Sequence, residues 1–191
     1  MNIFYTHPDP ILCAKQHNVV HNRKMIIEYV QILSTAHRVL DGTMEIVVGK
    51  NGRKKKVWNL EDSYMQDNIY AETHLNHPSA IWARQSNQNY VWLYLVFLEL
   101  GNIFEKERGK PHKTMEKLRF LLSKVPENIP KVDFFEPPFA GPEKILEQYE
   151  GNIVQSYREL IRNKMVDWET RDKKIDTTFY FEPEWLKKEK V

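Results

Sequence analysis

From Tyr90 to Leu98 the chain reads Tyr-Val-Trp-Leu-Tyr-Leu-Val-Phe-Leu, inside a stretch of helical character from about Ser79 to Arg108. A helix that is apolar on nearly every side cannot lie on a surface, so other helices must surround it. Glu99 interrupts the apolar run, which is also too short to cross a bilayer, so no membrane partner is expected. The expected fold is mainly α, a compact helical bundle around this long central helix, with one small β-hairpin inserted.

The hairpin comes from Glu45–Val48 and Lys54–Trp58, which flank Lys50-Asn51-Gly52-Arg53. Asn-Gly between two strand-like runs is a strong signal for a two-residue turn, and the hairpin is placed at about 44–58. Other helices are predicted over Pro10–Gln16, from Asn18 to Leu40, from Glu61 to Thr73, over Lys113–Leu122, over Glu143–Tyr149 and from Asn152 to Trp168. A proline-rich loop spans Pro126–Pro142. Residues 1–170 form one domain in this reading. The segment 171–191 is a tail whose Phe179, Tyr180, Phe181 and Trp185 pack on that domain before it ends in Lys187-Lys188-Glu189-Lys190.

Composition narrows the function classes. With 41% hydrophobic and 12% aromatic residues in 191, a sizeable core is available. The net charge is only +2, so any affinity for nucleic acid must come from local clusters of cations. The single cysteine, Cys13, has no internal disulfide partner, and the opening residues resemble no signal peptide, which points to the cytoplasm.

The densest chemistry lies on the Asn18–Leu40 helix. His21, Lys24, Glu28, Gln31, Thr35 and Arg38 recur at spacings of three and four, which gathers them into an arc of roughly 100°. Ile26, Val30, Leu33, Ala36 and Leu40 take the opposite side, expected to face the core. On the long helix Trp82, Ser86 and Asn89 share the inward side. An amide that hydrogen-bonds base edges beside a ring that stacks suits a pocket for an extruded base, and a satisfied structural asparagine fits equally well. Basic clusters at Arg53-Lys54-Lys55-Lys56 and across Lys106–Lys113 sit at turns, where backbone amides also meet phosphates. His17/His21 and His74/His77 have spacings compatible with metal ligation, but Asn18 stands where a metalloprotease helix needs Glu, and no metal or cofactor is expected. No Walker loop, dinucleotide fingerprint or Ser/His/Asp signature occurs.

Three segments together resemble a known family: Gln16-His17-Asn18-Val19-Val20-His21 through Glu28, then Asn76-His77-Pro78, then the aromatic helix ending in Glu105-Lys106-Glu107-Arg108-Gly109-Lys110-Pro111-His112-Lys113. The pattern, over about the first 115 residues, is similar to the pyrimidine-dimer DNA glycosylases of the phage endonuclease V type, and more closely to phage proteins of similar architecture. The resemblance implies a compact helical enzyme with a histidine seven residues before a catalytic glutamate, a spacing matched by His21 and Glu28. In that family the nucleophile is the α-amine of a small second residue exposed by methionine removal. Here the chain begins Met1-Asn2, asparagine is a poor second residue for that removal, and the family's flanking arginines fall on Ile27 and Gln31, so the nucleophile is unassigned.

The expected function is that of a phage-type enzyme acting on DNA bases or nucleotides, an N-glycosylase-like activity in DNA repair or modification, in the host cytoplasm if phage-encoded. Glu28 and His21 are the candidate catalytic pair. Lys24, Arg38, Asn76, His77, Trp82, Arg84, Asn89, Lys110, His112 and Lys113 are the candidate contacts to DNA or nucleotide. The alternatives are a transferase that modifies phage pyrimidines and a non-catalytic nucleotide or nucleic-acid binder directed against host defence. Oligomeric state is not legible.

Overall fold

The computed structural model describes residues 1–173 and 175–187. Among these the fold is mainly α, with eight α-helices and one two-stranded antiparallel hairpin. None of the helices is long and apolar enough to cross a membrane. Lys188, Glu189 and Lys190, the end of the predicted basic tail, lie outside the described residues.

Helix α1 spans Pro10–Lys15 and starts where the sequence predicts, with Asp9 accepting from the Leu12 N–H as N-cap and proline in the first turn. Helix α2, Val19–Asp41, is capped in the same way by Asn18, whose Oδ1 accepts from the His21 N–H at 2.8 Å. Gly42 closes it and leads into strands β1 (Thr43–Val48) and β2 (Lys54–Asn59). These pair in register from Thr43↔Asn59 to Val48↔Lys54, around the Asn51-Gly52 turn.

Two expected helices differ. The segment after Glu61 forms only α3, Ser63–Asn68, and an irregular chain continues to His77. The predicted long helix is broken at Ser86 into α4 (Pro78–Gln85) and α5 (Asn87–Arg108). Ser86 is extended, with φ −150° and ψ 135°, and its Oγ accepts from the N–H groups of Gln88 and Asn89. Across the break, the Asn87 N–H donates to Pro130 O at 2.9 Å and Asn87 Oδ1 accepts from the Val132 N–H at 3.1 Å. Bonds to the proline-rich loop thus replace the helical ones that the break removes.

The core centres on α2 packed against α5, with α1 and α4 alongside. Burial on α2 runs without interruption from Ile32 to Arg38, so its C-terminal half is enclosed, whereas Arg23, Lys24 and Ile27 nearer its start are exposed. The last three helices are α6 (Lys113–Leu118), shorter than predicted, α7 (Glu143–Gln148) and α8 (Ile153–Glu169). The tail lies across the start of α2: the Val19 N–H donates to Thr178 O at 2.9 Å, and Trp185 Nε1 donates to Gln16 Oε1 at 2.9 Å.

Candidate active site at the amino terminus

Residues 1–6 run along α2 and are fixed there by a chain of buried polar contacts. The Phe4 N–H donates to Tyr29 Oη at 3.3 Å, Tyr29 Oη lies 3.0 Å from His17 Nε2, and His17 Nδ1 lies 2.9 Å from Cys13 O. A carbonyl only accepts, so His17 Nδ1 carries the proton and Nε2 receives the tyrosine hydroxyl. Burial holds the His17 pKa down at about 4, consistent with that neutral tautomer. The Phe4 ring stacks on His21 with centroids 4.1 Å apart.

This anchoring carries Met1 to the middle of α2. Its side chain is buried, and its α-amine lies 3.8 Å from Glu28 Oε2. One turn earlier, Lys24 Nζ reaches Glu28 Oε1 at 3.2 Å from a side chain that is 64% exposed. Glu28 is 17% exposed, so its carboxylate stands at the rim of the core with an amine on each oxygen.

His77 belongs to the same electrostatic neighbourhood. Its Nδ1 accepts from the Ser79 N–H at 3.2 Å and caps α4. Burial lowers its pKa, the Met1 amine and His74 lower it further, and Glu28 opposes them. His74, with a left-handed φ of 49°, is exposed and bonded through Nδ1 to Thr73 Oγ1 at 2.7 Å. Thr35 holds this loop to α2: its Oγ1 donates to Thr73 O and accepts from the Thr73 N–H. Asn2 Oδ1, His21 Nδ1, Ser79 Oγ and Arg84 Nη1 are among the buried polar atoms that have no hydrogen-bond partner in the protein.

The other predicted site residues divide into three groups. His21 is 3% exposed, walled by Phe4, His17 and Trp168, and burial together with the positive charges of Lys164 and Lys24 holds its pKa well below the usual histidine range. A neutral ring in that setting is not a phosphate cation, and its contact with Phe4 makes it a support for the amino-terminal segment. Asn76, Lys110 and Lys113 are exposed; His112 caps α6 through the Thr114 N–H and packs edge-on to Phe104. Arg84 Nη2 donates to Leu75 O at 2.8 Å, which ties α4 to the loop before it.

Three expectations are corrected. Trp82 is 1% exposed, donates from Nε1 to Phe135 O at 2.8 Å and packs edge-on to Trp92 and Phe134, so its ring offers no stacking face. Asn89 is fully buried and satisfied: Nδ2 donates to Trp82 O at 3.0 Å and Oδ1 accepts from the Phe135 N–H at 3.2 Å. Arg38 spends its guanidinium on the carbonyls of Trp58, Gln66, Ile69 and Tyr70 and on Gln66 Oε1, which joins α2 to the hairpin and α3. These three hold the fold together and have no donor directed at a nucleic acid.

The approach of the Met1 amine to Glu28 is the contact that sequence reasoning did not place. Periodicity describes a helix face, whereas an extended segment laid on that face by Phe4 leaves no periodic trace. Two open grooves lie elsewhere, one between α8 and Trp185 and one around His37, Asp41 and Lys124, and neither is lined by Glu28 or His77. Among the described residues no group of three or more His, Cys, Asp or Glu side chains is arranged to hold a metal ion. No family model, no curated protein and no solved structure matches the chain.

Proposed function

We propose that this protein is an N-glycosylase-like enzyme acting on a base in DNA, with the Met1 α-amine as nucleophile and Glu28 as its proton acceptor. The observation that carries the reading is the 3.8 Å approach of that amine to Glu28 Oε2. An amine attacks carbon through its lone pair, which the adjacent carboxylate frees by accepting the ammonium proton.

In this reaction the amine nitrogen bonds to C1′ of the sugar while the electron pair of the glycosidic bond leaves with the base. Glu28 takes a proton from the attacking nitrogen and passes it to the departing base. The C1′–O4′ bond then breaks as the nitrogen lone pair forms an iminium at C1′ and O4′ takes a proton from water, and hydrolysis of the iminium gives the free aldehyde, returns that proton and restores the amine. This reading assigns Lys24, exposed beside the carboxylate, to a phosphate of the same strand. Asn76 and His77, on the loop that flanks the amine, are the side chains left to meet an extruded base once Trp82 and Asn89 are assigned to the core. Such an enzyme would serve DNA repair or modification in the cytoplasm, that of the host if the gene is a phage's.

The test is borohydride trapping on oligonucleotides that carry dimers or modified pyrimidines. A covalent adduct whose peptide mass maps to Met1, absent when the amine is acetylated and strongly reduced in Glu28→Gln, is the expected result. Absence of both base release and adduct across these substrates overturns the reading.

A further inference from the structure

The hairpin β1–β2 is exposed on both faces for most of its length, and it is tied to the domain at its base, through α2 and through the Gln66 Nε2 bond to Asn59 Oδ1 at 3.2 Å. One face carries Met44, Ile46 and Val48, 45%, 62% and 67% exposed, opposite Trp58, Lys56 and Lys54 in register. Two-stranded ribbons are marginal by themselves, and an exposed row of aliphatic side chains adds nothing to the stability of this one. Between Thr43 and Asn59 the ribbon holds five cations, Lys50, Arg53, Lys54, Lys55 and Lys56, against the single carboxylate of Glu45, a formal +4. The whole chain carries only +2, so the remainder is net acidic and the positive charge of the molecule is concentrated on this projection.

We infer that the hairpin is a docking arm for duplex DNA, its lysines on phosphates and its Met44–Ile46–Val48 row laid into a groove. The charge is complementary to a phosphate backbone, the major groove admits a two-stranded ribbon, and aliphatic side chains pack on thymine methyls and sugars there. This inference deepens the glycosylase reading and rests on it for one further consequence. Asp41, where the arm begins, lies thirteen residues from Glu28 along α2, a rise of about 20 Å. On a duplex lying along α2, the base of the arm would stand about six base pairs from the reacting nucleotide, at 3.4 Å per nucleotide.

The probe is an unmodified fluorescent duplex of 24 base pairs, titrated with the full chain at several salt concentrations. Wild type should bind with an affinity that falls steeply with salt. The variant K54Q/K55Q/K56Q, altered only at exposed side chains, should lower the slope of log K against log salt by about 2 to 3, and K54R/K55R/K56R should restore it. The variant I46S/V48S should weaken binding and leave the slope in place. An unchanged slope in the triple glutamine variant, or no duplex binding by wild type, overturns the inference. So does a wild-type dimer in sedimentation that I46S/V48S converts to monomer while duplex binding is unaffected, since the face would then join two copies of the chain. Adduct formation on a short single strand is read separately. An adduct with an unchanged slope removes the docking arm alone, whereas a slope that responds while no adduct forms leaves the arm and removes the glycosylase.

Discussion

Phe4 stacks on His21 with ring centroids 4.1 Å apart and planes 26° from parallel, and this contact on one side and the Tyr29 hydroxyl on the other set where the chain's first residue lies. His21 therefore acts on the amine through Phe4. Replacing it with alanine should cost about 1 to 3 kcal/mol of stability through the cavity beside Phe4 and should lower the yield of the Met1 adduct. His21→Phe keeps an aromatic surface against Phe4 and should recover both in denaturation and trapping measurements. A folded His21→Phe protein that forms no adduct would assign the imidazole a chemical role instead.

Glu28 should separate stability from chemistry. Its two ion pairs sit at the rim, one of them with a lysine that is 64% exposed, and contacts of that kind contribute little to folding. Glu28→Gln should shift the urea midpoint by no more than the equivalent of about 0.5 kcal/mol while reducing the rate of base release by about 100-fold or more. Single-turnover assays on a substrate that traps with wild type check both halves. A variant with wild-type rates removes the carboxylate from the mechanism.

Legibility in the sequence followed the range of the interactions involved. The hairpin around Asn51-Gly52 and the start of α1 at Pro10 are local, and each falls where the residues place it, although five residues, 49–53, rather than two separate the strands. The break at Ser86 escaped the reading because apolar periodicity runs through it, and what stabilises it is the loop at 130–135, some 45 residues on. A serine three residues before Asn89, in the run Ser86-Asn87-Gln88-Asn89, is the local signal of an N-cap that marks the site. The stripe on α2 was read correctly as dense, but its two ends differ in what covers them: α8 and Phe4 enclose His21, while α3 and the hairpin absorb Arg38. Lys24, Glu28 and Gln31, in the middle of the arc, are the stripe residues that are not buried, and no pattern in one helix foretells which part of its polar arc a distant segment will cover.

Acid should loosen the amino-terminal segment before the rest of the chemistry is affected. His17 and His37 are buried and neutral, with pKa values lowered from 6.5 to about 4 by burial. Since the unfolded chain binds those protons at higher pH, stability is fully present above pH 6.5, declines as pH falls through the window, and the contribution is lost below about pH 4. Each ring contributes up to about 3 kcal/mol across that window. Protonation of His17 also turns Nε2 from acceptor to donor, so the Tyr29 hydroxyl that holds Phe4 loses the acceptor of its own proton. Urea midpoints measured from pH 7 to pH 4 should fall steadily, and His17→Gln combined with His37→Gln should flatten the decline. A pH-independent midpoint in wild type would show that these rings are not neutral in the folded state.

Arg38 offers a direct test of whether a polar arc belongs to the fold or to a ligand. Four backbone carbonyls on β2, α3 and the segment just after it depend on its guanidinium, so Arg38→Met should destabilise the protein by about 2 to 4 kcal/mol. Lysine should not rescue it, because one ammonium cannot span the fork of acceptors. On duplex DNA the prediction is the opposite of that for the hairpin lysines: at a temperature where Arg38→Met remains folded, the salt slope should equal that of wild type. Had the guanidinium been a phosphate contact, its removal would lower that slope by about one. Denaturation and salt titration on the same variant therefore divide the α2 stripe into the part that builds the hairpin's base and the part, Lys24 and Glu28, that is left to act on a substrate.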